Sequence, residues 1–364
     1  MAGDFADIAR EAQSPQFRQY MVELLHDLVA IDTTPRADIA ALASLEGRVF
    51  DAIEGRLNGL GIAGLGVWRV PISPRIEEHR LYSQPYYTAT PQHPRGQSAD
   101  LAYGNRCNLV ATIDPSGGGA APGLALNAHI DVVKPYIPAR IESDTVFGRG
   151  ACDDKGPLAS TVGAIKLCAS HLQRSGKRIT RPITAMFVID EEIGGNGSLS
   201  LAIDRAFRRR YDTLAVLECC SSNIYPANRG AVWYKVEATL PGVNLFETAA
   251  FIIEEMECEG RALKAESRHD LFPHRPVQTC HGMIGGFGEH PSRICGRVEF
   301  VIRSTGAAGN LSLAVPLVRD LIEDGLAQYV GLYGDKTKAL DPSTGKPKVD
   351  HHYDLESTES GVIV

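Results

Sequence analysis

Short apolar strands that each end in acidic or histidine residues constrain this chain more than any other feature of its sequence. Apolar runs at residues 108–113, 123–128, 183–189 and 213–217 are separated by a helical pattern at 156–173 and by another after Gly197. Short apolar strands that alternate with helices predict an α/β sheet with helices on its faces. Ligands bind such sheets at the carboxyl ends of the strands, so the polar residues there form the candidate site.

The rest of the chain predicts a second, smaller domain. Helices are expected at residues 16–31 and 40–60, and residues 71–106 are expected to form a long irregular excursion of the kind that is often functional. After Arg229 the pattern becomes strand, helix, strand, strand, helix and strand, which is the split βαβ order of a ferredoxin-like α+β domain. We therefore expect a domain boundary near residue 229. The later elements are predicted at residues 231–239, 244–262, 281–287, 294–303, 311–329 and from about 353 onward.

His129 and Asp131 follow the second strand of the sheet. Two residues apart, they lie on the same side of an extended chain. A carboxylate beside a histidine can accept its second ring proton and so direct the other nitrogen at a metal ion. The alternative is a core histidine that is hydrogen-bonded to a nearby carboxylate.

Two acidic clusters occur further along the chain. Asp153 and Asp154 are adjacent in a glycine-bracketed turn before a helix, where a dication would relieve their repulsion and where a helix cap is the alternative. Asp190, Glu191 and Glu192 directly follow the third strand. One of these acids can bind a metal while its neighbour moves a proton, although an acidic turn in water is the alternative.

Glu218 ends the fourth strand and is weak evidence for a site by itself. Glu218 becomes informative in combination with the three motifs described above. Acids or a histidine then recur at the ends of successive strands, and these side chains can converge on one crevice. Imidazole nitrogen combined with carboxylate oxygens suits Zn²⁺, Mn²⁺ or Co²⁺.

These motifs together resemble the M20 family of metallopeptidases and amidohydrolases, and one of them is most similar to its dipeptidase branch. The resemblance is close over roughly residues 105–230 and looser elsewhere. It implies a mixed-sheet catalytic domain at 1–229 and a lid and dimerisation domain at 230–364. The matching segments are His129-x-Asp131, Gly148-Arg-Gly-x-x-Asp-Asp-Lys-Gly-Pro157, Asp190-Glu-Glu-x-Gly-Gly195 and Glu218.

The resemblance also implies a role for each site residue. Asp153 would bridge two metal ions, with His129 and Glu218 completing one site and Glu192 binding the other ion. Asp131 would orient His129. Glu191 would be the general base that takes a proton from a metal-bridging water. The Asp153–Asp154 peptide bond is often cis in this family.

In the second domain, the histidine that the family has early in its lid is missing, and the residues before the edge strand differ from the family pattern. We therefore expect a changed substrate pocket. Arg303 matches the lid arginine that holds a substrate carboxylate, with a surface arginine as the alternative. The resemblance further implies a homodimer formed through this domain.

The family's last metal ligand is a histidine in a C-terminal return to the catalytic domain. Here His351 and His352 are the only late histidines, and the sequence ends in a strand-like run at Val364. We expect that this chain lacks its C-terminal part, which leaves the second metal site one ligand short. A divergent enzyme with one complete site is the alternative, since three protein ligands and a water suffice for catalytic zinc.

Bulk properties exclude several partners. A formal net charge of -7 argues against a nucleic acid or an anionic membrane, because binding phosphates requires a basic face. No secretory signal or membrane helix is evident, and the eight cysteines lack CxxC spacing. We therefore expect reduced cysteines and a cytoplasmic protein.

Three functions remain in competition. The first is metal-dependent hydrolysis of an amide or peptide C–N bond in a small substrate that bears a carboxylate. The second is an aminohydrolase that releases ammonia from an unusual amine, with an aromatic amine as one candidate. The third is a catalytically silent homologue, against which the presence of Glu191 argues, since a pure binding protein needs no base.

Overall fold

The chain divides into two compact units, Met1–Ile294 and Cys295–Val364. The computed structural model describes residues 2–115, 121–218, 223–225, 250–251, 253–255, 258, 301–302, 356–358 and 361–363. The predicted boundary near residue 229 lies outside these residues, as do the elements predicted at 231–239, 281–287 and 311–329. Within the helix predicted at 244–262, the described residues are helical.

The first unit is built on a five-stranded mixed sheet with the order β1-β2-β6-β3-β7. Strand β1 is antiparallel to β2, and β2 is antiparallel to β6. Strand β3 is parallel to both β6 and β7, so the carboxyl ends of these three strands lie at one edge. The predicted α/β class with a mixed sheet is confirmed. The strands are β1 (Leu65–Pro71), β2 (Cys107–Ile113), β3 (Gly123–His129), β4 (Arg140–Glu142), β5 (Thr145–Phe147), β6 (Ile183–Val188) and β7 (Tyr211–Val216), of which β4 and β5 form a separate hairpin.

Alternate residues of the central strands bury opposite faces of the sheet, as a two-residue side-chain period requires. Leu109 and Phe187 belong to the larger core cluster, whereas Val110 and Val188 belong to a smaller one on the other face. Residues from α2, α3, α4 and α5 fill the larger cluster, and α6 and α7 contribute to the smaller. Helices therefore cover both faces, as predicted. The helices are α1 (Ala2–Ala12), α2 (Pro15–Val29), α3 (Ile39–Asn58), α4 (Ala99–Tyr103), α5 (Lys155–Ser175), α6 (Asn196–Ile203) and α7 (Arg205–Arg208).

The helices predicted at 16–31 and 40–60 are confirmed as α2 and α3. Each has a side-chain cap that accepts a hydrogen bond from the first turn: Ser14 from Phe17 and Asp38 from Ala41. Helix α5 ends at Gly176, whose φ of 66° is the left-handed conformation that commonly terminates helices.

The segment predicted as an irregular excursion contains short ordered elements. Two 3-10 helices at Pro74–Glu78 and Tyr86–Thr88 precede α4. Their packing buries Ile76, Tyr87 and Tyr103, so much of this segment is part of the core. It carries the two tyrosines toward the carboxyl end of β6.

In the second unit, β8 (Val301–Ile302), β9 (Glu356–Thr358) and β10 (Gly361–Ile363) form a small antiparallel sheet in the order β8-β10-β9. Strand β8 lies within the strand predicted at 294–303, and β9 lies just after the predicted start near residue 353. None of the helices in the described part of the chain is long and apolar enough to span a bilayer.

Candidate metal centre

Four chain segments meet at the edge where β3, β6 and β7 end. His129 is the last residue of β3, and the acidic turn of Asp190, Glu191 and Glu192 follows β6. Glu218 comes two residues after β7, and the Asp153–Asp154 pair directly precedes α5. The parallel pairing of β3 with both neighbours accounts for this convergence, since their carboxyl ends share one side.

His129 lies at the centre of the cluster with its side chain almost completely buried. Its Nε2 atom faces three carboxylates, at 3.1 Å from Asp153 Oδ1, 3.6 Å from Glu218 Oε1 and 3.7 Å from Glu191 Oε2. Burial favours the neutral ring, but the carboxylates of Asp131 and Asp153 outweigh it and raise the pKa of His129 to about 12. The negative charge around His129 therefore favours the binding of a cation at this position.

Asp131 joins the ends of two strands. Its carboxylate oxygens accept hydrogen bonds from the main-chain nitrogens of Glu191 and Glu192, each at 3.1 Å. The Nδ1 atom of His129 lies 3.0 Å from the main-chain oxygen of Asp131 and 3.5 Å from its carboxylate. The main-chain oxygen is therefore the nearer partner of His129, and the carboxylate fixes the turn that carries the two glutamates.

The carboxylates around His129 repel one another. Burial is the largest cause that raises the pKa of Glu191 to about 7 and of Glu192 to about 8, and neighbouring carboxylates add to it. Burial likewise raises the pKa of Asp154 to about 8, with Glu218 and Asp153 contributing. A bound dication would lower all three pKa values, because it favours the ionised form of each group.

Among the described residues, two groups of three side chains can each hold a metal ion. His129, Asp154 and Glu218 form one group, and His129, Asp153 and Glu192 form the other. In each, the three ligand atoms lie within 4.8 Å of one another. An imidazole nitrogen with carboxylate oxygens is a donor set that suits zinc, manganese or cobalt.

Asp154 is the residue whose position the sequence did not anticipate. One of its carboxylate oxygens accepts the His129 main-chain N–H at 2.9 Å, which ties the start of α5 to the end of β3. Its other oxygen, Oδ1, is buried and has no hydrogen-bond partner in the part of the chain that the structure describes. A buried carboxylate oxygen without a partner fits a metal ligand, because burying it otherwise costs free energy. The Asp153–Asp154 peptide bond is cis, as the resemblance implied.

A groove of about 630 Å³ opens beside Glu218 and Cys152. Its walls come from α2, the start of α5 and the β4–β5 hairpin, and they include the apolar side chains of Met21, Val22 and Val146. Glu191 is not a groove residue, but its side chain is 41% exposed, so solvent reaches its carboxylate. The cluster is therefore open to small molecules.

The structure brings together all six predicted residues from the first domain: His129, Asp131, Asp153, Glu191, Glu192 and Glu218. Arg303, His351 and His352 lie outside the described residues. The sequence reading missed the buried side chains that bind Asp190, namely Arg106, Tyr87 and Tyr103. No sequence signal identifies them, because they lie 84 to 103 residues away from Asp190 along the chain.

Comparison with known proteins gives a consistent result. The profile of peptidase family M20/M25/M40 matches residues 125–356, which is more than half of the chain. A probable carboxypeptidase from Aspergillus terreus is 42% identical over 97 residues, which cover 26% of this chain and 21% of that protein. A peptidase M20 domain-containing protein from Schizosaccharomyces pombe is 37% identical over 79 residues, covering 22% and 19%. The matched part thus spans about a fifth of the length of these curated relatives.

Two solved structures each match about half of this chain at low similarity. A tripeptidase from Staphylococcus aureus matches 55% of this chain and 43% of its own, with 19% identity and a TM-score of 0.35. Human carnosine dipeptidase 1 matches 55% of this chain and 38% of its own, with 16% identity and a TM-score of 0.37.

Proposed function

This chain belongs to peptidase family M20/M25/M40, and we propose that it is a metal-dependent hydrolase that cleaves an amide or peptide C–N bond of a small carboxylate-bearing substrate. The observation that carries the proposal is the convergence of His129 with Asp153, Glu191 and Glu218 at one sheet edge. The names of the curated relatives as probable carboxypeptidases support peptide chemistry. The aminohydrolase remains the second candidate from the sequence.

His129, Asp153, Glu192 and Glu218 would hold divalent ions, with zinc, manganese or cobalt as the candidates. The two groups of ligand atoms support two candidate ion positions, and both include His129. Because one imidazole nitrogen binds one ion at a time, carboxylates would have to hold a second ion. The orphaned Oδ1 atom of Asp154 adds a further oxygen donor near His129 and Glu218. A divalent ion held by these residues would supply Lewis-acid chemistry, by making water more acidic and polarising the scissile carbonyl.

Glu191 would be the general base. Burial raises its pKa to about 7 in the metal-free site, and a bound ion would lower it from there, so the carboxylate would be ionised and able to accept a proton at neutral pH. Its main-chain nitrogen is fixed by Asp131, so its carboxylate approaches the site from a constrained turn. Glu191 would accept a proton from the attacking water and return it to the leaving amine.

Recognition of the substrate carboxylate is assigned to Arg303, on the basis of the sequence resemblance alone. Assembly as a homodimer through residues 230–364 rests on the same resemblance and stays a prediction. A carboxylate next to the cleaved bond agrees with the description of the relatives as carboxypeptidases.

The variant Glu191→Gln tests the proposed base. We expect it to lower kcat by a factor of about 10²–10⁴, because general base catalysis contributes about that much. The metal content, measured by elemental analysis, should be unchanged, because Glu191 is absent from both ligand groups. The exposed Glu23, which pairs with Gln19 on α2, supplies the control variant Glu23→Gln with wild-type activity.

The substrate panel should contain dipeptides, acyl-amino acids and aryl amines, with Mn²⁺ or Zn²⁺ supplied. Release of ammonia from an aryl amine, without cleavage of any peptide or acyl-amino acid, would favour the aminohydrolase. Normal turnover by Glu191→Gln would eliminate Glu191 as the base. Failure of the purified chain to bind either metal in calorimetry would exclude the metal-dependent mechanism.

A further inference from the structure

Asp190 has a main-chain conformation that is uncommon among non-glycine residues, although aspartate adopts it more often than most. Its φ of 56° lies in the left-handed region, and it is one of two non-glycine residues described with a positive φ. Surrounding contacts are needed to hold a non-glycine residue in this region. Asp190 directly precedes Glu191, so its conformation sets the direction of the following peptide.

Arg106 is the main partner of the Asp190 side chain, and both are buried. The guanidinium donates to both carboxylate oxygens of Asp190, with Nη2 at 2.6 Å from Oδ1 and Nη1 at 3.0 Å from Oδ2. It also binds Glu46 on α3 in a two-point contact, at 2.8 Å and 2.6 Å. Arg106 therefore fixes the end of β6 to a helix of the larger core.

Two tyrosines complete the hydrogen bonding of the Asp190 carboxylate. The hydroxyls of Tyr87 and Tyr103 donate to Asp190 Oδ2 at 2.9 Å and 2.8 Å. Burial raises the pKa of both tyrosines, so each hydroxyl keeps the proton that it donates. Asn196, at the start of α6, donates to the Tyr103 hydroxyl at 2.8 Å.

We propose that Arg106, Tyr87 and Tyr103 are positioning residues that hold Asp190 so that Glu191 faces the metal centre. The inference rests on the proposed function, in which Glu191 is the base. Asp131 holds the main chain of Glu191 from the side of β3, and the three positioning residues hold the preceding residue from the side of the core. The turn is thus fixed on both sides, while the Glu191 carboxylate remains partly exposed.

Stability alone does not explain this arrangement. One guanidinium is shared by two buried carboxylates, so ionising both of them leaves a net negative charge where desolvation is costly. Apolar side chains of similar volume would often stabilise such a position as well or better. The charged network instead lies directly behind the turn that carries Glu191 and Glu192. Fixing a reacting group matters there, because a misplacement of about 1 Å can lower a rate about a hundredfold.

The test is the double variant Tyr87→Phe with Tyr103→Phe in the metal-loaded protein. It removes two hydrogen bonds to Asp190, together with those that the hydroxyls accept from Arg106 and Asn196, and it leaves the rings and the charges in place. We expect kcat to fall by about 10–100-fold, with KM and bound metal unchanged. Tyr82→Phe is the matched control, because the Tyr82 hydroxyl is buried nearby without a hydrogen-bond partner among the described residues.

A second measurement is the crystal structure of the double variant. We expect Asp190 to leave the left-handed region and the Glu191 carboxylate to move away from His129. An unchanged Glu191 position overturns the inference, whatever the activity is. A purely structural role would lower the melting temperature and leave kcat per metal-loaded molecule at the wild-type value, which also overturns it.

Failure of the proposed function is distinguishable from failure of this inference. If Glu191→Gln is inactive and the double variant has wild-type kcat, the positioning role is wrong. If Glu191→Gln is fully active, the proposed base is wrong, and the crystal structure of the double variant alone then decides whether the network positions this turn.

Discussion

Glu46 shows how burial changes the behaviour of a single acid. It is fully buried on α3, and its partner Arg106 is shared with Asp190. Burial is the largest cause that raises its pKa to about 7, and the negative charges of Asp190 and Asp131 act in the same direction against the attraction of Arg106. The folded protein therefore binds a proton at Glu46 in a pH range where the unfolded chain does not.

The variant Glu46→Gln tests this proton linkage. A pKa raised from 4.5 to about 7 contributes stability that is present below pH 4.5 and is lost as the pH rises through 7. In the wild type, this contribution of about 1–3 kcal/mol should disappear between pH 5 and 7. Urea unfolding of the metal-free protein at several pH values should show a smaller loss over this range in Glu46→Gln.

The comparison uses pH slopes because the glutamine also changes the contact with Arg106. The exposed variant Glu23→Gln is the control and should retain the wild-type slope. Identical slopes for Glu46→Gln and the wild type would show that Glu46 is ionised in the folded state throughout this range.

At the residue scale, the sequence predicted those site residues that can be recognised from their immediate neighbours in the chain. His129, the acidic turn after β6 and Glu218 were identifiable because each directly follows an apolar strand. The partners of Asp190 were not, because Glu46, Arg106 and Asp190 are brought together only by the packing of α3 against the sheet. The main-chain contact of Asp154 with His129 likewise depends on how the start of α5 meets β3.

Secondary-structure elements were predictable where they are long and periodic. Helices α2, α3 and α5 have apolar residues at helical spacing and end signals, and β2, β3 and β6 are buried apolar runs. Strand β1 was not predicted, since its residues are exposed or only half-buried at an edge of the sheet. The β4–β5 hairpin has strands of three residues, which are too short to show a period.

Helix α3 supplies a prediction about one element. Its N-cap Asp38 accepts a hydrogen bond from the main-chain nitrogen of Ala41 at 2.9 Å. Asp38→Ala should lower the free energy of unfolding by about 1 kcal/mol, and Asp38→Asn should restore most of it. Chemical denaturation measures both changes.

A matched control exists at the start of α4, the next α-helix along the chain. Ser98 precedes α4 but makes no side-chain hydrogen bond to the helix. Ser98→Ala should therefore change stability by less than Asp38→Ala does. An equal loss in both variants would contradict the importance of the capping hydrogen bond.

At the scale of the whole molecule, the folded state concentrates negative charge that the unfolded chain disperses. Three strand ends and one helix start deliver acids to a single edge, and burial raises the pKa of Glu191, Glu192 and Asp154. These acids oppose folding at neutral pH, since each is easier to ionise when it is unfolded. A divalent ion bound only by the folded state reverses the effect and couples metal binding to stability.

Metal addition should therefore stabilise the folded protein. At about one hundred times the dissociation constant, Mn²⁺ or Zn²⁺ should add about 2.7 kcal/mol to the free energy of unfolding. For a domain of this size, that corresponds to a rise in Tm of about 5–10 °C in a thermal melt against the chelated protein. His129→Ala should lose most of this rise, because both ligand groups include His129. An equal rise in His129→Ala would mean that the ions bind elsewhere on the acidic surface, and the assignment of this edge as the metal centre would be wrong.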